Sequence, residues 1–196
     1  KSIEKNTRDY EIVVVDNASR DHTREELKKF PSITAILNER NLGFSAGVNA
    51  GLRASSGETV ILLNPDTVVF PLWADRMREK FKSVPGTGAV GPLSTNCIGY
   101  QSIFKRLDYD FSPGFDIRGA AEKVLLQNGQ CEEVRLLIGF CLMVPREVLL
   151  HLGFLDERLF LGNDDLELCW RLRINGYRLS LAKDAFVAHE LQNSFR

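Results

Sequence analysis

The sequence predicts a single α/β domain with a mostly parallel central sheet flanked by helices. Three observations carry this. Short β-branched runs alternate with longer, charged, helix-patterned stretches through the first half, which is the pattern of βαβ units. Several of these runs are apolar at successive positions, as expected of strands buried on both faces. The helical stretches are punctuated by proline and glycine. At 196 residues the chain is long enough to bury a sizeable core, and 44% hydrophobic with 26% charged residues is ordinary for a globular protein.

Tyr10 to Asp16 (YEIVVVD) reads as the first strand. Ser19 to Phe30 follows as a charged helix with Asp21 or Thr23 as N-cap. Ser32 to Leu37 is a second strand, Gly43 to Ser55 a glycine-containing helix, and Glu58 to Leu63 a third strand. Pro71 to Val84 is a helix with proline in its first turn, and Thr87 to Gly91 a fourth strand. From Pro92 to Gly129 the pattern dissolves into Gly, Pro, Asn and aromatic residues, as in a functional loop. Val134 to Val144 restores a strand, Pro145 to Gly153 a short helix, and Asp164 to Gly176 an amphipathic helix ended by glycine. Two short strands around Lys183-Asp184 close the chain at Tyr177 to Glu190.

A net charge of −1 and a pI near 6.4 give no basic face for nucleic acid. The one basic run, Arg76 to Lys82, is interrupted by Glu79 and reads as a solvated helix face. Cys97, Cys131, Cys141 and Cys169 have no CxxC spacing, so free thiols and a reducing, cytoplasmic setting are expected. No stretch approaches ~20 apolar residues, so no membrane-spanning helix is expected. Attachment at the inner face of a membrane would come through other domains or partners.

Two strands end in polar residues where open α/β sheets bind ligands. Ile12 to Val15 leads into Asp16-Asn17, and Ile61 to Leu63 into Asn64-Pro65-Asp66. If the strands are neighbours, Asp16 and Asp66 line one crevice; each aspartate alone is also good turn chemistry. Pro65 holds Asn64 extended, so Asp66 is a fixed hard-oxygen ligand for Mn²⁺ or Mg²⁺ against substrate phosphates. Gly43, Gly47 and Gly51 recur every four residues. Such a bare face admits either a nucleotide or a tightly packed strand. Asp164, Asp165 and Glu167 open a helix, where they either suit the dipole or supply a general base, with only one of the adjacent aspartates facing a cleft. His189, at the end of the last strand, is either a packing residue or a ligand.

In order, EIVVVDNASRDHT, NLGFSAGVNAGL, ILLNPDT, IGFCLMVPREVL, GFLDERLF, NDDLELCWRLRINGYRL and VAHE…SF resemble the family 2 glycosyltransferases of GT-A fold. They span Tyr10 to Phe195, and LSTNCIGYQ looks like a bacterial subset often found in multidomain proteins. The resemblance implies inverting transfer of a sugar from a nucleotide-diphosphate donor to a glycan, lipid-linked or protein acceptor hydroxyl. It implies a nucleotide-sugar-binding half over 1–91 and an acceptor and catalytic half over 92–196. Asp16 with Asn17 would meet the nucleotide base, and Asn41, Gly43 and Gly47 would shape the diphosphate pocket. Asp66 would hold the metal with His189, and Asp165 would be the catalytic base. Trp170 and Arg171 would support the helix.

Asn64 replaces the first carboxylate of the family's DxD motif, which either weakens metal binding or shifts that position to ribose contacts. Asp164-Asp165 replaces its Glu-Asp pair. The family's first strand is expected before Lys1, which makes the domain N-terminally incomplete. Two rival readings are a module that binds nucleotide sugar without turnover and a nucleotidyltransferase. The second would need a basic, glycine-rich phosphate loop near its first strand, and no such loop appears in these residues.

Overall fold

The structure, a computed structural model, describes residues 1–97, 99–105 and 116–190. Its helices are α1 (Ser2–Asn6), α2 (Thr23–Leu27), α3 (Phe44–Ala54), α4 (Trp73–Ser83), α5 (Ile117–Leu125), α6 (Arg146–Leu152) and α7 (Asp164–Ile174). Its strands are β1 (Val13–Asp16), β2 (Thr34–Leu37), β3 (Thr59–Leu63), β4 (Thr67–Val69), β5 (Thr87–Leu93), β6 (Cys131–Val134), β7 (Cys141–Pro145) and β8 (Arg178–His189). Ser194 and Phe195, part of the last matched motif, lie outside the described residues.

The α/β architecture stands as expected, but the sheet is mixed instead of mostly parallel. β1 pairs β2 in a two-stranded sheet, and the larger sheet runs β3-β7-β5-β8-β4 with β6 also on β8. Of the pairings among the described residues, β1–β2 and β5–β8 are parallel; β3–β7, β5–β7, β4–β8 and β6–β8 are antiparallel. Buried apolar runs read alike in either direction, so composition could not reveal that β7 enters the sheet reversed. β1 and β3 are likewise not paired with each other, so the crevice expected between neighbouring strands is not formed by their pairing. Instead α3 links the two sheets. Its glycines lie over β1, while Leu52 sits in the main core and Asn49 exchanges hydrogen bonds with the Leu155 backbone (2.8 and 3.0 Å).

Alternation along the strands splits the core between the two sheet faces. Ala89, Leu142 and Val144 face a cluster with α5, α6 and α7, whereas Val90, Cys141 and Met143 face Trp73, Ala74 and Met77 of α4. All four cysteines are free. Burial pushes the Cys97 thiol up to about 12 and the Cys169 thiol to about 11. No helix among the described residues is long and apolar enough to cross a membrane.

Three local expectations change. The segment expected as one strand over Val134 to Val144 is β6, then a non-strand stretch through Phe140, then β7. The irregular region contains α5, whose Ala120, Ala121 and Val124 are buried. The two short closing strands are one strand, β8, whose register against β5 jumps from Pro92–Ala182 to Leu93–Phe186. Lys183, Asp184 and Ala185 fill that jump, so the polar pair marks a bulge and not a break.

The bulge carries a buried ion pair. Lys80 of α4 (1% exposed) places Nζ 2.9 Å from both oxygens of Asp184 (0% exposed). Gly129 N–H donates to Asp184 Oδ2 at 2.7 Å. Removing one partner of such a pair strands the other charge. Asp184→Ala is therefore expected to cost about 3–5 kcal/mol in urea unfolding. Arg76, 3.7 Å from the same carboxylate, would lose a partner as well, so a loss below about 1 kcal/mol would mean that solvent reaches Lys80 and replaces the carboxylate.

Candidate active site

The first part of the site lies at the C-terminal end of β1. Asp16 is fully buried there, with Oδ1 accepting from Ser19 N–H (3.1 Å) and Oδ2 from Arg24 Nε (2.6 Å). Burial raises its pKa, but the Ser19 and Arg24 hydrogen bonds outweigh this and leave it below the usual carboxylate value. Arg24 also donates from Nη2 to Asn38 O at 2.5 Å. The guanidinium, not the Asp16 carboxylate, is thus what this end of β1 presents to the adjoining cleft, whose charged lining is Arg20, Arg24, Arg40 and Glu39, with Asn17 and Asn41 beside them. Sequence reasoning missed the three arginines, although Arg20 and Arg24 follow the first strand directly and Arg40 precedes Asn41.

Asn17 is the hub of this region. Its amide N–H₂ donates to Asn41 Oδ1 (2.8 Å) and Gly43 O (2.9 Å). Its oxygen accepts from Asn38 Nδ2 (3.1 Å) and Leu42 N–H (3.0 Å). An amide side chain has two donors and two acceptor positions, so the protein itself fills all of them. Asn41 Oδ1 accepts in addition from Gly43 N–H at 2.9 Å. Gly43 has φ +86°, and a Cβ there would lie 2.8 Å from Phe160 O. Glycine is required on both counts. A Cβ on Gly47 or Gly51 would meet Asn17 and Val15, so this bare face packs on β1.

The second part is built by strand register. β4 pairs β8 with Thr67 opposite His189, which sets Asp66 beside the imidazole. The Asp66 Oδ1 to His189 Nε2 distance is 3.2 Å, and both side chains are 12% exposed. Thr67 Oγ1 donates to Asn64 O (2.7 Å) and Asn64 N–H donates to Phe140 O (2.8 Å), fixing the turn. The Phe140 ring stacks on His189 with centroids 5.2 Å apart.

His189 Nδ1 lies 3.0 Å from Asn96 O. A carbonyl can only accept, so Nδ1 carries the proton and Nε2 faces Asp66. A neutral imidazole then sets a lone pair against a carboxylate oxygen, an arrangement satisfied only by a cation: a second proton or a metal. Two such donors fit Mn²⁺ or Mg²⁺ that takes its other ligands from phosphates and water. Among the described residues no group of three or more His, Cys, Asp or Glu could hold a metal, so Asp66 and His189 have no third such ligand among them.

The third part is the start of α7. Gly139 N–H donates to Asp165 Oδ2 (3.0 Å), and Leu166 N–H donates to Oδ1 (2.8 Å). A Cβ on Gly139 would come 3.3 Å from Asp165 Cβ. Glu167 is taken up by Arg171 (2.8 Å), which also donates to the carbonyls of Leu152, Gly153 and Phe154 (each 2.8 Å). Arg171 therefore supports the helix. Trp170 is 58% exposed and packs into no core. Asp66, His189 and Asp165 converge on Gly139 and Phe140, adjacent residues whose Cα atoms are about 3.8 Å apart.

Residues 1–153 match the family model described as glycosyl transferase family 2. The chain is 27% identical over 214 residues to the N-acetylglucosaminyl-diphospho-decaprenol L-rhamnosyltransferase of Mycobacterium tuberculosis, covering 93% of this chain and 67% of that protein. It is 23% identical to the poly-β-1,6-N-acetyl-D-glucosamine synthase of Staphylococcus aureus, over 86% of this chain and 40% of that protein. Among solved structures, GalNAc-T7 with UDP, GalNAc and Mn²⁺ superposes with a TM-score of 0.73 at 18% identity, over 96% of this chain and 39% of that one. S. aureus TarS 1–349 with UDP-GlcNAc superposes with a TM-score of 0.68 at 17% identity, over 97% and 53%. These likenesses establish the GT-A fold.

Asp164 gives a pH test of this end of the site. Burial, followed by the neighbouring Asp165 charge, raises its pKa above the ordinary value, so the folded state favours its neutral form. Stability is then lost as pH rises from the unfolded-state value through the folded one. Asp164→Asn is expected to unfold at higher urea than the unsubstituted protein at neutral pH and at the same urea near about pH 3. Destabilisation at neutral pH would show that the charge is held favourably at the helix start.

Proposed function

The chain belongs to glycosyl transferase family 2, and on that premise we propose that it transfers a sugar, with inversion, from a nucleotide-diphosphate sugar to an acceptor hydroxyl. The observation that carries this is the opposed pair of acceptors, Asp66 Oδ1 and His189 Nε2 at 3.2 Å, tied by one short segment to Asp165. Such a pair needs a cation, and the natural bridging partner for a divalent one is the donor diphosphate.

Asp66 and His189 would hold Mn²⁺ or Mg²⁺. A bound divalent ion supplies charge neutralisation for the departing diphosphate. Asp165 accepts the proton of the acceptor hydroxyl as it attacks the anomeric carbon; each of its oxygens, though it accepts one backbone N–H, keeps a second lone pair. One displacement inverts the centre and needs no enzyme nucleophile. Asn64 would contact the ribose. The nucleotide base would lie in the cleft of Asn17 and Asn41, where it meets Arg24 in front of Asp16.

The mycobacterial relative is named for a lipid-diphosphate acceptor and the staphylococcal one for a glycan polymer. We propose an acceptor of that kind, a lipid-linked or growing cell-surface glycan, met by the domain on the cytoplasmic side of the membrane. The chain spans about two thirds of the first relative and 40% of the second.

Thermal unfolding against UDP, dTDP, GDP and CMP, each with Mn²⁺ or chelator, tests the donor site. A ligand at 100 times its dissociation constant stabilises by about 2.7 kcal/mol, several degrees in a domain of this size. We expect a Mn²⁺-dependent shift with a nucleoside diphosphate that Asp66→Ala abolishes. Asp165→Asn is expected to keep the shift and lower transfer by about 10²–10⁴-fold. A protein that shifts but never transfers would be a nucleotide-sugar-binding module. No shift with any nucleotide would sink both readings.

A further inference from the structure

We infer that Gln101 is a positioning residue for transfer: its buried amide fixes the backbone from which Gly139 orients Asp165 and Phe140 orients the Asp66 turn. The inference rests on the transferase reading of the site. Gln101 lies in a short 3-10 turn, Gly99–Gln101, and is 1% exposed. Its Oε1 accepts from Ile138 N–H at 2.6 Å and its Nε2 donates to Pro92 O at 3.1 Å.

Ile138 sits in the stretch between β6 and β7, where no ladder is available to its backbone N–H. Gln101 supplies the missing acceptor. The next residue, Gly139, donates to Asp165 Oδ2, and the one after, Phe140, accepts from Asn64 N–H and stacks on His189. Three successive residues therefore join Gln101 to the base and to both candidate metal ligands.

The glutamine is itself held on every side. Its backbone O accepts from Ser94 N–H (2.8 Å), and Ile103 N–H closes the turn onto Ser94 O (3.0 Å). Its amide lies flat on Gly91, where a Cβ would come 2.7 Å from Nε2. An apolar side chain could fill this volume. Only an amide both accepts from Ile138 and donates to Pro92 across it. A displacement of about 1 Å at a catalytic group can cost 10²-fold in rate.

Amide hydrogen exchange followed together with turnover tests this. In the unsubstituted protein the Ile138 amide is expected to be protected although it lies outside any strand; rapid exchange there overturns the inference. Gln101→Met, close in shape but without the acceptor, is expected to speed exchange at Ile138 and Gly139 while leaving strand amides unchanged. Nucleoside diphosphate release from UDP-, dTDP- and GDP-sugars with Mn²⁺ should show kcat lowered about 10–100-fold at unchanged donor KM. Exchange at Ile138 in the unsubstituted protein keeps the test decisive if the methionine variant does not fold. A fall in kcat with unaltered exchange at Ile138 and Gly139 would also overturn the inference. An unsubstituted protein without turnover would remove the transferase reading, yet the exchange data would still decide what Gln101 holds.

Discussion

The candidate site depends on the backbone of Ile138, Gly139 and Phe140. This segment is neither helix nor strand, so its polar groups need partners from elsewhere. Each is met by a different element: Gln101 for Ile138, Asp165 for Gly139, and the Asn64 turn for Phe140. Satisfying the backbone groups of this partly buried segment and assembling the site are thus one event. If the segment were a regular strand, its N–H groups would go to a neighbour, and α7 and the β3–β4 turn would lose their common anchor. The break between β6 and β7 thus gives α7 and the β3–β4 turn one common anchor.

β8 is the second long-range constraint. It pairs β5, β6 and β4 along one length of chain and ends at His189. Its bulge turns Asp184 onto Lys80, which fixes α4 against the sheet, and beyond the bulge the register with β4 sets His189 beside Asp66. A slip of one residue in the β4–β8 pairing would turn His189 to the other face. The buried ion pair lies upstream of that register and opposes such a slip, because moving the strand would pull a charge from its partner.

Much of this was legible because strand runs and helix punctuation are local signals. The ends of β1 and β3 and the helices α3, α4, α6 and α7 could be found from pattern, and Asp66, Asp165 and His189 could be named as candidates from pattern and resemblance. What escaped was non-local. Strand direction leaves no mark in an apolar run such as Cys141–Pro145, so the antiparallel β7 was invisible. β4 has three residues and borrows its stability from β8. α5 hides in a glycine- and proline-rich region and shows itself only by the burial of Ala120, Ala121 and Val124. Gln101 gave no sequence signal, because a glutamine matters here only through the carbonyl and N–H that the fold brings to it.

The β1 end carries the same lesson with a chemical consequence. In sequence, Asp16 is a carboxylate at a strand terminus and invites a direct role toward a nucleotide. In the structure it is closed off by Ser19 and Arg24, and Asn17 is fully engaged with the loop that carries Asn41 and Gly43. Their shared effect is to build a rigid wall and to turn Arg24 into the polar surface of the cleft. A guanidinium offers only donors, so this wall favours ligand groups that accept: base carbonyls or phosphate oxygens. At the other end, with Nδ1 committed to Asn96, Asp66 and His189 Nε2 face each other across a gap that either a second proton or a metal cation satisfies. On the proposed reading, a nucleoside diphosphate carrying a divalent ion would supply both kinds of group, accepting oxygens for the arginine and a metal for the carboxylate and imidazole.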